Sequence, residues 1–308
     1  MDSTPKNHLK RPGETFDLNS VQLAGAIRKL WPRNGDVYAR LRISTRDHLV
    51  EEDDAQAVYA NLRFSQGQVK NQPVTLQPGD LVRVSGFLTH NEFFETIQRF
   101  LQVAHAEGFL EDVPADDHSA WQSITFRRTN IMINVRSLVF LQPDGKAAPG
   151  PQLIEEDEPP QDGKLNHVVL EGIVARQWQY AEHIFIRMAI YDRYTPLEHG
   201  GKTGNRGRPR RSPHYITVRF QDGKVADRPV TLRIKDRLRV TGSIGEQKAK
   251  VTLHQALVET GKSEVIDLLG RLPNADKTEE IHIQQESLHV DAQALVAYST
   301  GRPESDHD

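Results

Sequence analysis

This chain repeats itself, so whatever fold one half adopts must also serve the other. Residues 18–46, LNSVQLAGAIRKLWPRNGDVYARLRISTR, align without a gap to residues 165–193, LNHVVLEGIVARQWQYAEHIFIRMAIYDR, with nine of 29 pairs identical. Residues 59–88 align without a gap to 215–244, where RFSQGQVKNQPVTL matches RFQDGKVADRPVTL and thirteen of 30 pairs are identical. The offset grows from 147 to 156 between the two blocks. The second copy therefore carries nine extra residues, within the stretch GGKTGNRGRPRRSPHY at 200–215. A chain of 308 residues has room for two such domains, each with its own core.

Both copies read as β-structure. Apolar residues alternate at Val21, Leu23, Gly25 and Ile27, at Val37, Ala39, Leu41 and Ile43, and at Val58, Ala60, Leu62 and Phe64. A period of two with one wet face is the signature of antiparallel strands. DLVRVSG and NIMINVRSLVF supply a fourth and a fifth strand, and DRLRVTG and KAKVTLHQALV stand at the same places in the second copy. Five short strands per copy predict an all-β protein of tandem five-stranded OB-fold barrels. A five-stranded sheet of another kind satisfies the same periodicity. NEFFETIQRFLQVAHAEG, near 91–108, has helical apolar spacing and predicts a helical insertion in the first barrel, where the second copy has only SIGEQKA. The expected organisation is a flexible N-terminus (1–17), a first barrel (18–140), an acidic Pro/Gly-rich linker (141–164), a second, basic barrel (165–260) and an acidic C-terminal extension (261–308). The last residues, GRPESDHD, are expected to be disordered.

Charge separates along the chain. Residues 165–260 carry 17 Lys and Arg against 9 Asp and Glu, whereas 18–140 carry 13 against 14, the linker 2 against 6, and the last 48 residues 4 against 10. A cationic body beside an acidic tail points to a polyanion partner for the body. There are no cysteines, which excludes disulfides, thiolate zinc sites and thiol catalysis and fits a cytoplasmic protein. No apolar run is long enough to span a bilayer, and MDSTPKNHLKRPGETFD has no apolar core of a secretory signal.

Alternation also names the outward face. In the first copy it presents Tyr38, Arg40 and Arg42 on strand two and Tyr59, Asn61 and Arg63 on strand three. In the second it presents Phe185 and Arg187, then Tyr215, Thr217 and Arg219. Aromatic rings beside arginines are what an unpaired nucleic-acid strand requires: bases stack on π-faces at about 1–3 kcal/mol each, and cations follow the phosphates. Trp31 and Trp178, aligned at the end of strand one, add stacking platforms at each barrel's mouth. The basic stretch joins strands two and three of the second copy, and its Lys202, Arg206, Arg208, Arg210 and Arg211 extend the phosphate track. Its GGKTG lacks the earlier glycine of a phosphate-binding loop, which is Pro196 here, and its RGRP resembles a minor-groove hook only over four residues.

Enzyme readings fail on spacing. His105–Ala106–Glu107 has a deaminase-like pattern but no cysteines to complete a zinc site. His282 and His289 lack ligand spacing, and the acidic runs Glu51–Asp54 and Glu155–Glu158 are consecutive rather than convergent. No catalytic residue, metal or cofactor is expected.

LNSVQLAGAIRKLW and LNHVVLEGIVARQW resemble the opening strand of the bacterial single-stranded-DNA-binding protein family, in particular its members with two OB-folds in one chain. The resemblance implies binding of single-stranded DNA in replication, recombination and repair. It also implies assembly to four OB-folds, here a homodimer, and recruitment of replication and repair proteins by the acidic tail. Two features depart from that family: the chain ends ESDHD without a terminal phenylalanine, and SQGQVKNQPVTLQPGD is too rich in Pro and Gly for the helix usual between strands three and four. An OB-fold binder of RNA or tRNA and a protein-binding scaffold are the alternative readings.

Overall fold

The structure, a computed structural model, describes residues 16–44, 57–71, 75–150, 152–154, 165–192 and 212–298. The chain divides into two compact units, one of residues 21–167 and 243–291, the other of 1–20, 168–242 and 292–308.

The first copy contributes β1 (Asn19–Arg33), β2 (Asp36–Ile43), β3 (Val58–Phe64), β4 (Leu81–Thr96) and β5 (Thr125–Phe140). β1 pairs antiparallel with both β2 and β4, β2 with β3, and β4 with β5, while β3 runs parallel to β5. The order β1-β2-β3-β5-β4 therefore returns to β1 and closes a barrel. Its interior holds Leu23, Ile27, Leu41 and Leu62 of the alternating set read from the sequence, together with Val84 of β4 and Ile133 of β5; all six are wholly buried, each stabilising the fold by about 1.5–3 kcal/mol relative to exposure. β1 can serve two neighbours because it bulges between Ile27 and Lys29. It also passes close to β2 at Gly25, where an added Cβ would lie 1.9 Å from the Arg42 carbonyl oxygen.

The second copy repeats this with β6 (Asn166–Tyr180), β7 (His183–Ile190), β8 (His214–Phe220), β9 (Arg237–Thr252) and β10 (His282–Tyr298), in the order β6-β7-β8-β10-β9 with β9 back on β6. β6 bulges at the aligned place, between Val174 and Arg176. The turn before the fourth strand is the same in both copies: Asp80 accepts the Gln77 amide at 2.7 Å and Asp236 the Arg233 amide at 2.7 Å. The Asp80 and Asp236 carbonyls then accept Ile27 N–H and Val174 N–H, each at 2.9 Å.

Between strands three and four of the first copy lies a short helix, α1 (Gln66–Asn71), despite the local Pro and Gly content. It forms because Gln68 is buried and pinned, accepting from Ser65 N at 2.7 Å and donating to the Val135 carbonyl at 2.6 Å. The helical insertion begins later than expected. Residues 91–96 continue β4, and α2 (Ile97–Val103) starts where Thr96 caps the Arg99 amide at 3.3 Å. Two 3-10 turns, Glu107–Asp112 and Ala115–Asp117, lead into α3 (His118–Gln122).

The largest correction concerns the second copy. KAKVTLHQALV is not its fifth strand: β9 runs to Thr252, which caps α4 (Leu253–Glu259) in a reciprocal box with Gln255, 3.1 Å in each direction. α5 (Ser263–Gly270) and α6 (Lys277–Glu280) follow, and the fifth strand is β10. The second barrel thus has a helical insertion like the first and extends well past residue 260. Most of the segment expected to be an acidic extension is folded: Glu264, Asp267, Asp276, Glu279, Glu280 and Glu286 lie on exposed positions around buried Val265, Leu268, Leu269 and Ile283. Within the unit of residues 21–167 and 243–291, the insertions share one core in which Phe100, Leu101 and Trp121 pack with Leu253, Leu257 and Leu268. Among the described residues no helix is long and apolar enough to cross a membrane.

Candidate nucleic-acid interface

The pleat sets the face. On β2 and β3 the inward residues Ala39, Leu41, Ala60 and Leu62 are wholly buried, and the residues between them, Tyr38, Arg40, Arg42, Tyr59, Asn61 and Arg63, are half-exposed. Cross-strand register places Tyr38 opposite Arg63 and Arg42 opposite Tyr59. Trp31 of β1 lies opposite Tyr38 and stacks on it, with centroids 5.9 Å apart and planes at 14°. The second copy builds the same row: Trp178 opposite Phe185, centroids 5.6 Å and planes at 10°, with Phe185 opposite Arg219. Each copy therefore carries a tryptophan, a second ring and an arginine side by side across three strands.

The rows differ in detail. Phe185 is 3 % exposed, so it is not the open stacking ring the alternation predicted; Trp178 covers one side and His183 meets it edge-on at 6.5 Å. Phe185 supports Trp178, whose half-exposed ring also lies 5.7 Å beneath the Arg176 guanidinium. Tyr215 is exposed at the far end of β8, and Arg187 is half-buried with an Nε that meets no partner among the described residues. In the first copy Trp31 also lines an apolar groove of about 380 Å³ with Leu30, Val69, Leu76 and Leu153.

Carboxylates hold two of the first copy's cations. Arg63 Nε donates to Asp36 at 2.8 Å, and Asp36 also accepts the Gln66 amide at 2.8 Å. Arg40 donates to Glu286 at 2.9 Å while its guanidinium sits 4.8 Å over the Tyr59 ring. The residue aligned with Asp36 in the second copy is His183. Lys202, Arg206, Arg208, Arg210 and Arg211 lie outside the described residues.

Several exposed groups escaped the sequence reading. Phe93 and Phe94 on β4 are 42 % and 71 % exposed, and Tyr180 at the end of β6 is 63 % exposed. Their exposure follows from the length of the strands beyond each barrel, which periodicity does not give. Among the described residues one cluster could offer metal ligands, Glu182, His183 and Asp222 within 4.8 Å. There His183 Nδ1 already accepts the Asp222 amide at 3.1 Å, and both carboxylates are exposed, so the group reads as a turn contact. Burial pushes the Tyr191 phenol up, with Tyr215 and Asp17 adding to the effect.

Strand order, the parallel β3–β5 pair and closure by the fourth strand on the first make this an OB-fold protein with two barrels in one chain. No family model matches the chain, and no curated protein matches it. Among solved structures it is similar to the single-stranded DNA binding protein from Thermus aquaticus, at 13% identity and a TM-score of 0.46, with 94% of this chain and 98% of that chain covered. It is also similar to the Plasmodium falciparum SSB complex with single-stranded DNA, at 15% identity and a TM-score of 0.24, covering 42% of this chain and 99% of that one. For fission yeast Pot1 with single-stranded DNA the identity is 9%, the TM-score 0.20, and the coverage 94% and 87%.

Proposed function

We propose that this protein binds single-stranded DNA with little sequence preference, protecting it during replication, recombination and repair. The observation that carries this reading is the repeated row of tryptophan, ring and arginine on the β1–β2–β3 and β6–β7–β8 faces. Those strands are the part of an OB-fold that meets oligonucleotides. Every base has a π-face, so stacking on Trp31 and Trp178 is indifferent to sequence, and the arginines beside them follow the backbone charge. The second copy, whose residues 165–260 carry the cationic excess, holds the strand more tightly than the first. The resemblance of both opening strands to the bacterial single-stranded-DNA-binding family supports a homodimer of four barrels as the working form.

Intrinsic fluorescence tests the faces. The chain has three tryptophans, and Trp121 is wholly buried in the helical core. Quenching on addition of oligo-dT must therefore come from Trp31 and Trp178. Trp178→Leu is expected to remove about half the quench and to weaken binding about 5- to 150-fold, the loss of one stacked base. If Trp31→Leu and Trp178→Leu both quench and bind as the wild type does, these rows are not the binding face.

A further inference from the structure

Beside the outward face of β2 and β3 lies a groove of about 270 Å³, closed by the β4–β5 arm and by residues 283–288 of β10, all within one compact unit. It is just below the range of about 300–1,000 Å³ typical of drug-sized ligands, so it suits something as small as one base. Arg128 is its anchor. Only 7 % exposed, it donates from Nε to Glu95 at 3.0 Å and from Nη1 to Gln285 at 3.1 Å, and its guanidinium lies over the Phe126 and Phe100 rings at 5.5 and 5.9 Å. Among the described residues its Nη2 is buried with no partner, and so is the Oδ1 of Asn130, another residue that lines the groove. A buried unpaired donor and a buried unpaired acceptor in one groove are a cost that a ligand presenting the complementary pair would remove.

The charges say which part of a ligand enters. Glu95, Glu246 and Glu286 stand there against Arg40 and Arg128, so a phosphate would add a negative charge to a surplus of carboxylates. An edge with an acceptor beside a donor fits instead. Adenine, cytosine, guanine and thymine all present such a pair on the Watson–Crick edge, which an unpaired strand leaves open, so the groove is tolerant of sequence. Tyr59 under Arg40 and the half-exposed Phe93 supply ring surface at its rim.

We propose that this groove seats one unstacked nucleobase of the bound strand, its edge on Arg128 Nη2 and Asn130 Oδ1 and its phosphate held outside. The proposal rests on the single-strand reading of the neighbouring face and gives that face a defined pocket. It makes Arg128 and Asn130 binding residues that period-two alternation did not select.

The test is Asn130→Leu in the full chain, with Asn130→Thr as a smaller second variant. Removing an acceptor that has no partner is expected to leave the Tm of the free protein unchanged or higher, and to weaken oligo-dT binding about 5- to 10-fold. A 2-aminopurine probe stepped along the oligonucleotide is expected to report one position whose signal the variant loses. Wild-type affinity in both variants would overturn the pocket, and so would a fall in Tm, which would show that the acceptor is used inside the protein. If the wild type ignores oligonucleotides altogether, the single-strand reading fails by itself. Thymidine then decides the pocket: binding that Asn130→Leu abolishes keeps it as a site for a free nucleoside, and no binding removes it.

Discussion

Freeing a captive arginine should strengthen the first barrel's grip on DNA by a calculable amount. Arg63 sits on the outward face but is held by Asp36 at 2.8 Å, with side-chain exposures of 40 % and 12 %. A cation paired in this way contributes little net charge to a phosphate track. Asp36→Asn keeps an oxygen for the Gln66 amide, which Asp36 now accepts at 2.8 Å, and removes the charge. An ion pair of this exposure is worth about 0.2–1 kcal/mol. Relieving the strand of breaking it should therefore tighten binding about 1.4- to 5-fold at low salt. One more phosphate contact steepens the salt dependence by about 0.7 in the log–log slope for a single strand. Between 50 and 200 mM salt the variant should then lose about 2.6-fold more affinity than the wild type. Fluorescence titration with labelled dT oligomers at four or five salt concentrations gives both quantities. Arg63→Gln should leave the slope at the wild-type value, because the captive cation makes no phosphate contact to lose, and Asp36→Asn placed on that background should change neither affinity nor slope. An unaltered slope in Asp36→Asn alone, or a full gain in the Arg63→Gln background, would refute the claim that Arg63 becomes a phosphate contact once Asp36 releases it.

Three further outcomes follow from the fold. Lys235 has φ 80 at the position where the first copy has Gly79 at φ 97; Lys235→Gly should raise stability by about 0.5–1 kcal/mol, read as a higher Tm, by relieving left-handed strain. Leu257 is wholly buried in the core shared by the helical insertions; Leu257→Ala should cost about 2–5 kcal/mol in urea unfolding, and a loss below 1 kcal/mol would show that the cluster is not packed as described. Burial above all, and then the Glu286 carboxylate, holds the Glu246 carboxyl above its usual range, with Lys248 and Arg40 opposing. Its protonated form is therefore favoured by folding, so its contribution is present below the unfolded carboxyl pKa and is lost as pH rises through the folded one. Glu246→Gln should accordingly raise Tm more at pH 7 than at pH 4, and an equal shift at both would contradict the burial.

Period-two alternation located β1, β2 and β3 and their inward residues because burying one face leaves the pattern in the letters. The first two blocks of the repeat were legible because identical residues do identical work: Asp80 and Asp236 cap the same turn, and Gly25 and Gly172 stand where strands approach closely. The match continues in space where it fades in sequence. β4 with α2 and β9 with α4 keep the offset of 156 residues, yet of the sixteen pairs from Leu88 to Val103 only Thr96–Thr252 and Leu101–Leu257 are identical. Those two were enough to fix a helix cap and a core position but too few to be noticed. β10 was missed for a different reason. Its burial does not alternate cleanly, since Ile283 and Val290 are both buried yet stand seven residues apart, and it sits in a segment whose overall acidity suggested an extension. Within the site, alternation correctly turned Tyr59, Arg63, Tyr215 and Arg219 outward. It could not foresee that Trp178 would cover Phe185, or that Asp36 and Glu286 would restrain Arg63 and Arg40, since those contacts run between strands and alternation reports each strand by itself.

The most direct test of the account is fluorescence anisotropy of labelled oligo-dT and of a length-matched duplex against the purified protein at 50 and 200 mM salt. The account predicts tight binding of the single strand, a wide margin over the duplex, and an affinity that falls steeply with salt. Equal or stronger binding of the duplex, or no binding of the single strand at 50 mM salt, would contradict it.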